Sequence, residues 1–76
     1  MPEVVVPLDA WDGSTEASVS VWFFEDGQVV QPGVLLAELM VEKATVEICA
    51  PAGGRLHIRA PAESVVRKGD VLAMIG

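Results

Sequence analysis

The sequence contains two copies of one short pattern, and this repeat is the feature that most restricts how the chain can fold. Residues 29–39 align without a gap on residues 65–75. Each copy has a Val-Val pair, a central glycine and a Leu-Ala pair at matching positions. A unit of this length cannot bury its own apolar face, so we expect the two copies to pack against each other about a pseudo-twofold axis.

Short alternating segments and frequent turn residues make up most of the remaining sequence. Apolar residues recur at every second position within 4–6, 18–23, 46–48 and 56–58, which is the period of a β-strand. In the second segment, Val19, Val21 and Phe23 are expected to share one face. Asp-Gly, Pro-Gly and Gly-Gly pairs separate the segments and leave no uninterrupted stretch of helical length. The sequence therefore predicts an all-β fold, a small flattened barrel or sandwich.

The composition excludes several classes of protein. A chain of 76 residues has no room for a separate catalytic domain. With 11 acidic against 5 basic residues, it is a poor partner for nucleic acid or an anionic membrane. One cysteine and one histidine cannot form an internal disulfide or a structural zinc site. We expect a soluble, metal-free, non-catalytic protein of a reducing compartment, with one domain over residues 1–76.

The segment after the first repeat predicts a β-hairpin with Glu42 and Lys43 at the centre of its turn. That register keeps the apolar residues of both strands on one face and places Lys43 at the tip. The residues alone leave two interpretations open: a solvated turn residue, or a primary amine held out for covalent modification. The facing pairs would be Val41 with Ala44, Leu39 with Val46, and Ala37 with Ile48.

Residues 42–48, Glu-Lys-Ala-Thr-Val-Glu-Ile, resemble the lipoyl-lysine turn of lipoyl domains from 2-oxo acid dehydrogenase complexes, whose usual pattern is Asp-Lys-Ala before an alternating strand. Flanking blocks also resemble this family, including Trp22, Asp26-Gly27, Pro51-x-x-Gly54 and Gly69-x-x-Leu72, and the resemblance runs from residue 3 to residue 75. It implies a lipoyl/biotinyl barrel-sandwich hybrid of two similar four-stranded antiparallel sheets.

The resemblance implies that Lys43 carries lipoic acid as N6-lipoyllysine, and that Gly33 and Gly54 position the hairpin. Val41, Glu42 and Ala44 would be recognised by a lipoate ligase or lipoyl transferase. The domain would then be a swinging-arm carrier, not an enzyme, either free-standing or part of a dihydrolipoamide acyltransferase.

The partners that the resemblance implies are the components of a 2-oxo acid or acetoin dehydrogenase complex. They are a thiamine-dependent dehydrogenase component, an acyltransferase core and a flavin-dependent dihydrolipoamide dehydrogenase. The expected location is the cytoplasm, or the mitochondrial matrix for a domain cut from a eukaryotic precursor.

The segment from Leu8 to Glu16 resembles the surface loop that such domains place beside the lysine turn. Trp11, Asp12 and Glu16 are the candidates for partner docking. The competing interpretation of Trp11 is a side chain that covers one end of a small core.

Two other functions remain open. A biotin carboxyl carrier domain has the same fold but usually flanks its lysine with methionines, as Ala-Met-Lys-Met, whereas this chain has Glu42 and Ala44. An unmodified structural or adaptor module would use Lys43 only as a turn residue. The carrier of the glycine cleavage system is disfavoured because it is longer.

Three further residues carry expectations about structure. Cys49 is expected to be a small buried filler, and His57 a surface residue of a strand. Glu63 stands where the first copy has Gly27, which predicts a reshaped turn in the second copy.

Overall fold

The computed structural model describes residues 2–13 and 15–76, and these residues form eight β-strands. None of them belongs to a helix with the length and apolarity needed to cross a membrane. The strands are β1 (Glu3–Val5), β2 (Ala17–Trp22), β3 (Val29–Val30), β4 (Leu35–Val41), β5 (Ala44–Cys49), β6 (Gly54–Ile58), β7 (Val65–Val66) and β8 (Val71–Ile75).

The strands form two four-stranded antiparallel sheets, with orders β1-β8-β6-β3 and β5-β4-β2-β7. Exchanging the first four strands with the last four converts one order into the other, which is the expected pseudo-twofold relation. Each sheet takes two strands from each half of the chain, so the halves are interleaved rather than stacked side by side. The predicted all-β sandwich is confirmed.

The repeat appears in the core as matched burial. Leu36 and Leu72 are both 0% exposed, and the equivalent pair Leu39 and Ile75 is also completely buried. Burying a leucine fully stabilises a protein by roughly 1.5–3 kcal/mol, so the two copies contribute equal apolar anchors to one shared core.

The turns of the two copies also match, because each reaches across to the opposite half. The amide of Gly33 donates to the carbonyl of Ala50 at 2.8 Å, and the amide of Gly69 donates to that of Val6 at 2.8 Å. These bonds join the β3–β4 turn and the β7–β8 turn to segments that lie far away in the sequence.

Strand β2 departs from the simple alternation predicted for it. The pairing of β2 with β4 shifts by one residue between Val19 and Val21. Val19 is buried, but Val21 and Phe23 face outward while Trp22 turns inward and donates its indole N–H to the Ala60 carbonyl at 2.8 Å. A bulge moves every later side chain to the other face, so the expectation that all three apolar residues share one face is wrong.

Cys49 is exposed rather than buried, so the expectation of a buried filler is wrong as well. The neighbouring Ile48 is the residue of β5 that enters the core, at 4% exposure. Period-two alternation then places Cys49 on the solvent side of an edge strand, together with Thr45 and Glu47.

The turn at Glu63 is not reshaped, contrary to expectation. Its φ of 74° matches the 89° of Gly27, so a glutamate adopts the left-handed conformation of the equivalent glycine. The amides of both residues donate across to the other half at 2.7 Å, Glu63 to Val19 and Gly27 to Leu56. The symmetric fold imposes the left-handed conformation on Glu63, and its Cβ makes that conformation less favourable than it is for glycine.

We expect the substitutions Glu63→Gly and Gly27→Glu to have opposite effects on stability. Glycine relieves left-handed strain at position 63, whereas glutamate introduces it at position 27, each by about 1 kcal/mol. Urea unfolding monitored by tryptophan fluorescence measures both changes in the free energy of unfolding. Destabilisation by Glu63→Gly would contradict the assignment of strain to this turn.

Candidate functional site

The hairpin formed by β4 and β5 has the predicted register. Glu42 and Lys43 form its two-residue turn, and Glu42 has a left-handed φ of 53°, as tight hairpin turns require. The predicted pairs Val41 with Ala44, Leu39 with Val46, and Ala37 with Ile48 are all present.

The base of this hairpin is anchored while its tip is open to solvent. Strand β4 lies between β5 and β2 in its sheet, and Val41 is only 6% exposed at the end of that strand. Glu42, Lys43 and Ala44 are exposed. The chain therefore changes from core to solvent within one residue, which leaves only the turn free of packing.

The two lysines of the chain differ in their surroundings. Within the described residues, no hydrogen bond or ion pair engages the Lys43 ammonium group. Lys68 is half-buried, its Nζ donates to the Trp11 carbonyl at 2.9 Å, and it lies 6.0 Å from the centroid of the Trp11 ring. Lys43 is thus the lysine whose amine is available for chemistry.

The loop between β1 and β2 contains the three predicted docking residues. Trp11 is half-buried against the core and donates its indole N–H to the Thr15 carbonyl at 2.8 Å. Glu16 forms an ion pair with Arg67 at 2.7 Å, while Asp12 is exposed and forms no ion pair with any described residue. Two of the three residues hold the loop to the body, and the docking role of all three stays a prediction.

Strand register places this loop at the lysine end of the molecule. Ser18, near the start of β2, faces Met40, near the end of β4. The loop that leads into β2 and the hairpin tip that follows β4 therefore lie at the same end of the sheet.

The two glycines expected to position the hairpin act at different distances from it. Gly33 has a φ of 86° in the turn that leads directly into β4. Gly54, in the other sheet, has a φ of 144°, and a Cβ there would lie 3.1 Å from Cγ2 of Ile75, so any larger residue at this position would be strained. Gly33 thus lies next to the hairpin strand β4, whereas Gly54 lies in the opposite sheet, and the hairpin-positioning role of both stays a prediction.

A shallow surface pocket of about 310 Å³ is lined by Gly13, Thr15, Arg67 and Lys68. The described residues also contain no group of three side chains that could hold a metal ion. The distinctive chemical group of this surface is a primary amine presented to solvent.

Comparison with known protein families identifies the family to which the chain belongs. The family model Biotin_lipoyl, described as "Biotin-requiring enzyme", matches residues 5–75. The chain therefore belongs to this biotin/lipoyl family.

Several curated proteins are similar to the chain. The lipoamide acyltransferase component of the branched-chain alpha-keto acid dehydrogenase complex of Pseudomonas aeruginosa is 40% identical over 53 residues, which cover 70% of this chain and 12% of that protein. The dihydrolipoyllysine-residue succinyltransferase component of the 2-oxoglutarate dehydrogenase complex of Staphylococcus saprophyticus is 32% identical over 77 residues, 100% of this chain and 18% of that protein. The chain thus spans less than a fifth of the length of these relatives.

Sequence reasoning did not find the contacts of Arg67 and Lys68 with the β1–β2 loop. A signal was present, because the second copy has Arg-Lys-Gly-Asp where the first has Gln-Pro-Gly-Val. The second copy thus has two cations that the first lacks, and in the structure both contact the β1–β2 loop.

The difference between the two lysines predicts their reactivity. At limiting concentrations of an amine-acylating reagent, Lys43 should be modified several times faster than Lys68, because the Lys68 ammonium is hydrogen-bonded and half-buried. Peptide mass spectrometry over a time course measures both rates. Equal rates in the folded protein would show that the Lys68 contacts do not persist in solution, and denatured protein provides the control.

Proposed function

We propose that this chain is a carrier domain of a dihydrolipoamide acyltransferase from a 2-oxo acid dehydrogenase complex, and that Lys43 is its site of lipoylation. The observation that carries this proposal is the free amine of Lys43 at the tip of a two-residue turn on an anchored hairpin. The named relatives are acyltransferase components of such complexes, which supports the assignment.

The residues around Lys43 fit an attached lipoyl group. A modifying enzyme must reach the Nζ of the lysine and grip the backbone around it, and the exposed residues 42–44 allow both. Val41, buried beneath the turn, anchors the end of β4 in the core. The recognition elements for a lipoate ligase or lipoyl transferase would thus be the exposed Glu42 and Ala44 and the rigid turn itself.

Lipoic acid in amide linkage to Nζ supplies a dithiolane that accepts an acyl group together with two electrons. The chain provides position rather than catalysis. By holding the attachment point beyond its own surface, it lets one side chain reach separate enzymes while it remains tethered, which raises the local concentration of the reactive group at each. The partners would be the thiamine-dependent dehydrogenase component, the acyltransferase core and the flavin-dependent dihydrolipoamide dehydrogenase.

The charge of the chain suits repeated visits to enzyme active sites. Its net charge is −6, and a negative carrier associates faster with enzymes whose entrances are basic. The same charge limits self-association, so solubility alone is a competing explanation. The rate of acylation should fall with added salt if steering operates.

Biotin is the alternative group at Lys43, since one family model covers both types of domain. The residues on either side of the lysine favour lipoate, because Glu42 and Ala44 stand where biotin carrier domains usually have methionines. An unmodified adaptor module is the third candidate. In such a module Lys43 would be only a turn residue, and its exposed amine would have no function.

Co-expression with a lipoate ligase in the presence of lipoate should add the mass of one lipoyl group to the intact protein. Lys43→Gln should abolish the increment, because it removes the amine and leaves the exposed turn otherwise unchanged. Lys68→Gln is the matched control and should be modified as fully as the unaltered protein.

The same experiment with a biotin ligase and biotin tests the alternative function. A biotin increment without a lipoyl increment would assign the domain to the biotin carriers. The absence of both increments on folded protein would favour the adaptor, and a lipoyl increment that survives Lys43→Gln would place the site elsewhere.

A further inference from the structure

The two sheets expose outer faces that differ in charge. The strands of the β5-β4-β2-β7 sheet contain two acidic residues, Glu38 and Glu47, and no basic residue. In the other sheet, β6 contains Arg55 and His57, and Arg59 follows directly after that strand. Because the whole chain has only 5 lysines and arginines and a net charge of −6, this placement concentrates its cations on one sheet.

Alternation places these three basic side chains on one outer face. Leu56 is 0% exposed and points into the core, so Arg55 and His57 on either side of it point outward, and Arg59 continues the same period. Met74 on the neighbouring strand lies directly opposite His57 and shares its face. The surface defined by Arg55, His57, Arg59 and Met74 is called the basic face below.

The outer face of the other sheet is built around two carboxylates of like charge. Glu38 of β4 lies directly opposite Glu47 of β5, and Val21 of β2 lies on the other side of Glu38. Like charges in this arrangement destabilise a sheet, and no ion pair among the described residues engages either carboxylate. Phe23, 49% exposed, and Met40, 42% exposed, add apolar surface. These five residues define the acidic face.

The pseudo-twofold relation shows that the fold does not dictate the charge of either face. Phe23 and Arg59 are equivalent, because their amides donate to the carbonyls of Leu36 and Leu72 at 2.8 and 2.9 Å, and these leucines are matched positions of the repeat. The same backbone position therefore carries an aromatic ring on the acidic face and a guanidinium group on the basic face.

The arginines of the basic face are not paired with acids in the part of the chain that the structure describes. Neither a hydrogen bond nor an ion pair engages the Arg59 guanidinium there, and Arg55 donates to a neutral acceptor, the Gly27 carbonyl, at 2.7 Å. Glu3 is the one acid in the strands of this sheet, and it lies on β1, two strands away from β6. The guanidinium groups are thus free to meet an external carboxylate.

The two faces complement each other. A second copy whose acidic face met the basic face of the first would bring carboxylates to guanidinium groups, and each face adds exposed apolar side chains to the contact. Contacts between two basic faces or between two acidic faces would oppose like charges. The favourable pairing is therefore between unlike faces of different copies.

We propose that the basic face of one copy of this chain docks on the acidic face of another copy. Such a contact is heterologous, so each copy in a pair keeps one face free and further copies can add head to tail. The Cα extents of 32 and 20 Å limit a flat face to roughly 600 Å², below the roughly 800 Å² that each partner contributes to a standard stable interface. The contact is therefore transient.

The net charge of −6 weakens this contact further, because whole copies repel each other. Docking is thus confined to high local concentrations, such as those that tethering of several copies produces. Lys43 lies outside both faces, at the turn that joins β4 to β5. Copies docked through their faces therefore keep this amine exposed.

The first test uses the unaltered chain, isotope-labelled for NMR. Amide spectra at about 1 mM and about 0.02 mM should differ, because a transient contact is populated only at the higher concentration. The shift changes should lie on both faces, in β2, β4 and β5 and in β6 and β8, and the rotational correlation time should rise about 1.3-fold or more. Spectra that do not depend on concentration, or changes confined to the hairpin tip, would overturn the proposal.

The second test reverses one charge on each face. Arg59→Glu alters the basic face and Glu47→Lys the acidic face, so the concentration-dependent shifts of each variant alone should fall about fivefold. Lys43→Glu and Asp9→Lys are the matched controls, because they change the net charge by the same amounts at exposed positions outside both faces. Both controls should respond to concentration as the unaltered chain does, and equal losses in controls and face variants would contradict docking through the faces.

Mixing the two face variants tests whether unlike faces pair. Labelled Arg59→Glu keeps its acidic face, and unlabelled Glu47→Lys keeps its basic face, so the mixture should restore the shifts on β4 and β5 of the labelled chain. With the labels exchanged, the restored shifts should appear on β6 and β8. A mixture that restores neither set would overturn the pairing. The spectrum of each variant also shows whether it is folded, and the dilution of the unaltered chain decides the proposal without any variant.

Discussion

The sharing of one core between two interleaved copies is the constraint on which the rest of the structure depends. Each copy supplies a leucine and a neighbouring alanine that are 0% exposed, but neither can bury them without the other, because each sheet takes two strands from each half. Strand ends and turns are therefore defined by contacts between residues far apart in the sequence. This arrangement anchors the strands of the hairpin that carries Lys43.

The same symmetry explains how the molecule presents the Lys43 amine on an exposed turn. In one sheet the hairpin turn joins β4 to β5, and in the other the equivalent place is occupied by the start of β1 and the end of β8, where the Ile75 amide donates to Pro2 at 2.9 Å. The protein can thus keep one turn free for Lys43 while every strand beneath it remains paired. The elements that break the symmetry include the connection between β1 and β2 and the Lys68 side chain that contacts it at Trp11.

Most of the fold could be predicted because apolar period and turn residues act locally. The hairpin register followed from keeping apolar residues on one face, and the structure has the predicted pairs. The errors in β2 and at Glu63 arose where a tertiary contact overrides the local pattern. The bulge in β2 turned Val21 outward and Trp22 inward, and the symmetric turn imposed a left-handed conformation on Glu63. Neither effect has a signature in the neighbouring residues.

The sequence by itself determined the all-β class, the pseudo-twofold plan and the position of Lys43 at a hairpin tip, because each follows from residue spacing along the chain. Only the tertiary structure decided which lysine is free. Lys68 and Trp11 are 57 positions apart, and the bond between them exists because two turns of different strands meet at one end of the sandwich. The spacing of apolar residues along a strand shows which face of the strand is buried. The contacts of a side chain also depend on segments far away in the sequence, and local spacing does not predict them.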